Sequence, residues 1–163
     1  MNAKGVSEQN RQEKGPSLDE DTQIMYILKE SKRVAVVGTS ADPTKAGHYV
    51  PKALKEMGFQ LFGVNPNYRG REILGIKVCG SLAEIEEDID VVVVFRPPSD
   101  IPSIAREALS KGFKTFWMQP GTVNEEVKRD LETNGFRVIA GRCMKIESER
   151  LTKQEVSTRL SRS

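Results

Sequence analysis

The sequence predicts an α/β doubly wound domain of three layers, with a mainly parallel sheet of about five strands between helices. Three observations predict it. Short β-branched runs, Val34–Val37 and the VVVV of Val91–Val94, have the continuous apolar character of strands covered on both faces. Segments with apolar residues at helical spacing alternate with these runs. Between the two kinds of segment the chain places turn formers: Gly38, Gly58, Asn65-Pro66, Gly112, Gly121, Gly135 and Gly141.

Taken in order, residues 1–16 are polar and aperiodic and are expected to be a disordered tail. Ser17-Leu18-Asp19-Glu20 has capping-box spacing, with Ser17 as N-cap, so a helix is expected over about residues 18–30 with Ile24, Ile27 and Leu28 on its apolar face. The first strand ends at Gly38-Thr39-Ser40. Val50, Ala53, Leu54 and Met57 then recur as a helix that Gly58 stops. Phe59–Val64 is a second strand, and the two strands with their helix form a right-handed βαβ unit. Residues 68–80, with apolar positions between Gly70, Gly75 and Gly80, read as a short strand or an ordered loop, and SLAEIEEDI as a brief helical segment. Beyond the Val91 strand come a helix through Ile101, Ile104, Ala105 and Ala108, a strand at 115–118, a helix at about 124–133 and a strand at 136–140. One Rossmann-like domain over 17–151, followed by a polar tail at 152–163, is the expected organisation; residues 144–163 are able to extend a helix that frays towards Ser163.

Composition narrows the class. At 163 residues, 37% hydrophobic and 29% charged, the chain fits one globular domain, and no apolar run approaches the roughly 20 residues of a membrane span. The N-terminal residues lack the apolar core of a secretory signal, so a cytoplasmic protein is expected. The formal charge of +2 divides into +1 for residues 1–16, +2 for residues 144–163 and −1 for the middle. The folded part therefore carries no basic excess for nucleic acid. Cys79 and Cys143 are too far apart for a metal pair or a CxxC motif, and two free thiols are expected.

In an open parallel sheet, ligands bind at the carboxyl ends of the strands. Five clusters fall there: Gly38-Thr39-Ser40, Asn65-Pro66, Phe95-Arg96-Pro97-Pro98, Gln119-Pro120-Gly121 and Gly141-Arg142-Cys143. The first is a turn whose backbone N–H groups, with the following helix N-terminus, suit a phosphate; the Thr39 and Ser40 hydroxyls and Lys45 are further donors. It is not a GxGxxG fingerprint, because Ser40 stands where the second glycine would be. The second strand ends in Asn65-Pro66 instead of the acid that takes NAD ribose hydroxyls, and Arg69 and Arg71 follow, which favours a phosphorylated ribose unless they are solvated loop charges. His48 reads as a helix or pocket-rim residue with ligand contact as the alternative. Cys143 reads as buried and structural, or as a thiol able to form a mixed disulfide. Phe116 or Trp117, at least, belongs to the core, and Glu125 and Glu126 complement a helix dipole.

The motifs VAVVGTSADPTKAG, GFQLFGVNP, ILGIKVCGSLAEI, DVVVVFRPP, KTFWMQPGTVNEE and GRCMKIE, spread over about residues 25–151, together resemble the coenzyme A-binding family of small Rossmann-like proteins. That family is related to the nucleotide domain of succinyl-CoA synthetase α subunits. The resemblance implies coenzyme A, or an acyl-CoA, as ligand. Its ADP-3′-phosphate would lie over Gly38, Thr39, Ser40, Asn65 and Pro66, and its pantetheine arm would run past Phe95, Arg96 and Pro97 towards Gln119. Lys45 and Arg71 are the candidates for the 3′-phosphate. The synthetases form a phosphohistidine on a second domain, which this chain lacks, with His48 its single histidine. A non-catalytic or accessory CoA-binding protein is therefore expected, with a homodimer or a partner enzyme open. The rival readings are an NAD(P)-linked oxidoreductase and the CoA-binding component of a multichain ligase.

Overall fold

The computed structural model describes residues 19–162. Its elements are α1 (Glu20–Glu30), β1 (Arg33–Val37), α2 (Ala46–Glu56), β2 (Gln60–Val64), β3 (Glu72–Ile73), β4 (Ile76–Cys79), β5 (Val91–Val94), α3 (Ile101–Lys111), β6 (Thr115–Met118), α4 (Glu125–Thr133), β7 (Arg137–Ala140) and α5 (Met144–Arg162). Single 3₁₀ turns at Pro66–Tyr68, Leu82–Glu84 and Pro98–Asp100 fill the loops. The strands form one sheet in the order β3-β4-β2-β1-β5-β6-β7. All the pairings are parallel except the β3–β4 hairpin, and the six parallel strands follow the doubly wound order with its switch between β1 and β5.

The β-branched runs divide their side chains between the two faces with period two. On one face Val34, Val36, Val91, Val93, Trp117 and Ile139 pack under α1, α2 and α5. On the other, Ala35, Val37, Val92, Val94, Phe116, Met118 and Val138 pack under α3 and α4. Phe116 and Trp117 are both fully buried, and the Trp117 Nε1–H donates to the Arg142 carbonyl at 2.8 Å, so no indole donor is left unsatisfied. Arg142 in turn bonds Asp21 of α1 at 2.5 Å and Glu147 of α5 at 3.0 Å, which fixes the β7–α5 junction.

Two expectations need correction. Helix α1 starts at Glu20, and its cap is Asp19, whose Oδ1 accepts the Thr22 N–H at 2.7 Å. Ser17, expected in that role, lies outside the described residues, as does the expected tail at 1–16. The sheet has seven strands where about five were expected, because residues 72–79 form a hairpin that adds β4 beside β2. Leu74 and Gly75 both take positive φ at its turn, 56° and 74°, and the Lys55 ammonium donates to the Leu74 carbonyl at 2.5 Å. At the other end, the segment expected to be able to extend a helix does so, as far as Arg162.

Candidate functional site

The loops after β2, β1, β5, β6 and β7 meet at the carboxyl edge around a cavity of about 560 Å³. Because these strands are consecutive in the sheet, the cavity floor runs in their order. Asn65, Asn67 and Tyr68 stand at one end; Gly38 and Ser40, then Phe95 and Arg96, then Gln119, Pro120 and Thr122 follow; Cys143, Lys145 and Ile146 close the other end. Four strand intervals at about 4.8 Å make a trough of roughly 19 Å. The first turns of α2, with Lys45, Ala46, Gly47, Tyr49 and Val50, form its remaining wall.

The turn after β1 is fitted tightly to its neighbours. A Cβ on Gly38, whose φ is 99°, would come within 3.2 Å of Phe95 and of the Arg96 stem. A Cβ on Gly47 would lie 2.4 Å from the Gly38 carbonyl oxygen, so only glycine lets α2 approach β1 this closely. That is the task of the third glycine in a dinucleotide fingerprint, performed here four residues later along the chain. Pro51 adds to the arrangement. Lacking an N–H, it leaves the Gly47 carbonyl without its helical donor, and the Ser40 N–H donates there instead at 3.1 Å.

This changes which groups are available to an anion. The Gly38 N–H is engaged by the Val64 carbonyl at 2.9 Å, that of Ser40 by Gly47, and the Ser40 hydroxyl accepts from the Asp42 N–H at 3.1 Å. Uncommitted donors include, beside the Thr39 and Ala41 N–H groups of the turn, those of Ala46 and Gly47 at the start of α2, which have no intrahelical acceptor. Lys45 occupies the N-cap without a side-chain capping bond, and the first turn holds no acidic residue. His48 holds the turn from behind: its Nδ1 donates to the Ser40 carbonyl at 2.8 Å, which fixes the proton on that nitrogen, and the ring takes no part in the cavity wall. Asp42 orders the loop by accepting the Thr44 N–H and hydroxyl at 3.0 and 2.7 Å, bonds that hold its carboxyl below the usual range.

Gly38, Ser40, Lys45, Asn65, Phe95, Arg96 and Gln119, all nominated by the sequence, line this cavity. Asn65 and Gln119 are buried and largely occupied with the backbone. The Asn65 amide donates to the Thr39 carbonyl at 2.8 Å and its Oδ1 accepts from the Asn67 N–H at 3.0 Å; Gln119 Oε1 accepts the Met144 N–H at 2.9 Å. Pro66 lines a second cavity of about 400 Å³ on the α3 face, which shares Gly38, Asn65, Asn67 and Arg96 with the first. Thr39, Arg71 and Pro97 line neither cavity. The Thr39 hydroxyl donates to the Val36 carbonyl at 2.9 Å, and Arg71 lies over the outer face of Tyr68, 5.1 Å from its centroid. Arg69 pairs with Glu84.

The cavity wall carries three cations, Lys45, Arg96 and Lys145, and no carboxylate among the described residues. Arg96 is held by Asp100 at 2.9 Å, and Lys145 by Glu149 at 2.8 Å, a bond that raises the Lys145 pKa above its ordinary value. Lys45 has no ion-pair partner among the described residues. Cys143 is a free, half-buried thiol in this wall; Cys79, also free, has its pKa raised chiefly by burial. Among the described residues no cluster of metal-ligating side chains occurs and no helix is long and apolar enough to cross a membrane. Gly47, Tyr49, Asn67, Tyr68, Lys145 and Ile146 are wall residues that sequence reasoning did not nominate; for Gly47 the signal was present, a glycine in the first turn after a strand.

Known proteins share this architecture. The uncharacterized protein YneT of Bacillus subtilis is 42% identical over 124 residues, which is 76% of this chain and 90% of that protein. The ADP-forming acetate–CoA ligase of Methanocaldococcus jannaschii is 30% identical over 134 residues, 77% of this chain but 19% of the ligase, so the chain spans a small part of that enzyme. The structure of cell-free ID.343 from Thermus thermophilus superposes with a TM-score of 0.78 at 34% identity, covering 82% of this chain and 99% of that one. A family profile described as CoA binding domain matches residues 32–149, a span that runs from the residue before β1 into the first turns of α5. The chain belongs to the CoA-binding domain family.

Proposed function

We propose that this protein binds coenzyme A, or an acyl-CoA, along the carboxyl edge of the sheet and acts as a non-catalytic or accessory CoA carrier in the cytoplasm. One observation carries the reading: an elongated trough whose described wall has three cations and no carboxylate, opening on a helix N-terminus with neither cap nor acid. A polyanion with a long neutral arm suits that wall. The close packing at Gly38 and Gly47 supports the reading by setting the first turn of α2 against the β1 turn, where its open N–H groups border the trough.

In this assignment the diphosphate takes the Ala46 and Gly47 N–H groups and Ser40, and Arg96, paired with Asp100, borders the arm. Asn65, Asn67 and Tyr68 border the nucleoside, and Phe95 and Gln119 border the pantetheine arm. Thr39 and Asn65 act largely by shaping the turn, and Arg71 reaches the ligand only through the Tyr68 ring it backs. Lys45 remains the candidate for the 3′-phosphate. When bound, CoA supplies a thiol for acyl transfer; this chain's residues supply the grip. A ligase component working with a partner chain is the second reading, supported by the likeness to one part of an acetate–CoA ligase.

Calorimetric titration with CoA, dephospho-CoA, NAD and NADP tests the proposal. CoA is expected to bind tightest and dephospho-CoA at least about tenfold more weakly, because it lacks the phosphate that makes one charge-assisted hydrogen bond. Preference for NAD, or indifference to the 3′-phosphate, overturns it.

A further inference from the structure

The trough is not chemically uniform, and its β7 end differs from the rest. Among the described residues few large apolar side chains stay exposed, and two of them, Tyr49 (48%) and Ile146 (51%), both line this cavity. They stand in the first turns of α2 and α5, helices that pack side by side. Val50, Pro120 and Cys143 continue the same wall beneath them. The cation at this end, Lys145, is engaged by Glu149 at 2.8 Å, as Arg96 after β5 is by Asp100 at 2.9 Å, whereas Lys45 at the start of α2 has no ion-pair partner among the described residues. Exposed apolar groups gathered at a cavity mouth mark a place where ligand covers them.

A ligand whose phosphates lie at the N-terminus of α2 and whose arm follows the strand order brings its far end to this rim. We infer that the rim receives the acyl group of a short, uncharged acyl thioester, and that Tyr49 and Ile146 distinguish acyl-CoA from free CoA. The inference rests on the CoA reading above. An acyl group ending in a carboxylate is disfavoured, because Lys145 is committed and the Glu149 carboxylate beside it repels a second anion. An aliphatic acyl group meets no such charge and removes the Tyr49 and Ile146 surfaces from water.

The test is calorimetric titration with CoA, butanoyl-CoA and succinyl-CoA. Three apolar carbons at about half burial predict butanoyl-CoA binding about eightfold tighter than CoA, with succinyl-CoA no tighter than CoA. Tyr49→Ser and Ile146→Ser should each drive the butanoyl-to-CoA ratio towards one. Leu109→Ser, a comparably exposed position on α3 at the opposite face, should leave the ratio in place. Equal affinity of the wild type for CoA and butanoyl-CoA, a ratio that survives both rim substitutions, or tighter binding of succinyl-CoA overturns the inference and leaves CoA binding standing. Failure of all three compounds to bind overturns both.

Discussion

The two edges of the sheet meet the same electrostatic requirement in opposite ways. At each edge, loops present backbone N–H groups that need an acceptor. At the amino edge the acceptor is built in: the Asp90 Oδ2 takes the N–H groups of Lys32 and Arg33 at 2.8 and 2.9 Å, and Oδ1 pairs with the Lys114 ammonium at 3.2 Å. Desolvation pushes the Asp90 carboxyl up, but these donors outweigh it and hold the pKa below the ordinary 3.8. At the carboxyl edge, the Ala46 and Gly47 N–H groups and Lys45 face a wall without a carboxylate among the described residues. One edge is closed by an internal anion; the other holds none among the described residues, and in the proposed function it is the edge that receives one from outside. Charge placement within one fold thus separates scaffold from site.

Gly47→Ala should disturb this division most. Its Cβ would meet the Gly38 carbonyl, a backbone atom with little room to yield, so α2 must move off β1. A stability loss of about 3 kcal/mol by urea denaturation is expected, at the upper end of overpacking costs. CoA affinity should fall with it, because the open N–H groups move. Full stability in this variant would show that the close approach is not needed.

Asp90→Asn acts on the other edge alone. It is expected to cost about 1–3 kcal/mol through weakened bonds to Lys32, Arg33 and Lys114, with CoA affinity unchanged. The pH dependence follows from the direction of the shift. A carboxyl whose folded pKa is depressed contributes its stability fully above 3.8 and loses it as pH falls through the lower folded value. The gap between wild-type and variant urea midpoints should therefore be widest above that value and shrink below it; a gap that widens in acid would refute the assignment.

How far the sequence discloses these edges depends on where the side chains direct their bonds. Strands β1, β5 and β6 are legible because burial on both faces demands unbroken apolar runs, and Gly38 after β1, Pro97-Pro98 after β5 and Pro120-Gly121 after β6 mark the turns. The β3–β4 hairpin is not, since its turn uses Leu74 at positive φ, a conformation that leaves no dipeptide signature. Two cap formers compete at the start of α1, and spacing alone favours Ser17 over the Asp19 that does the capping. At the site, residue types indicate polarity but not direction. Thr39 and Asn65 read as ligand donors, yet the Thr39 hydroxyl and the Asn65 amide bind backbone carbonyls of the β1 end. Pro51 has no part in the apolar spacing that marks α2, yet its missing N–H leaves the Gly47 carbonyl to the Ser40 N–H. Such roles exist only once the chain is folded back on itself.

Ser40→Asp is the smallest perturbation and turns the carboxyl edge into an imitation of the amino edge. The serine hydroxyl already accepts the Asp42 N–H at 3.1 Å, and an aspartate oxygen can take the same bond, so the turn has no reason to unfold. The remaining carboxylate oxygen borders the cavity beside the start of α2, where the helix dipole favours it. The edge would then hold its own anion, and an incoming phosphate would meet like charge. Stability within about 0.5 kcal/mol of wild type is expected, since a first-turn anion offsets any local crowding. CoA affinity should fall about tenfold, the worth of one charge-assisted hydrogen bond, and the deficit should shrink as salt screens the repulsion. Unchanged affinity at low salt would mean that the phosphates lie away from the β1 turn, and the contrast between the two edges would lose its functional meaning.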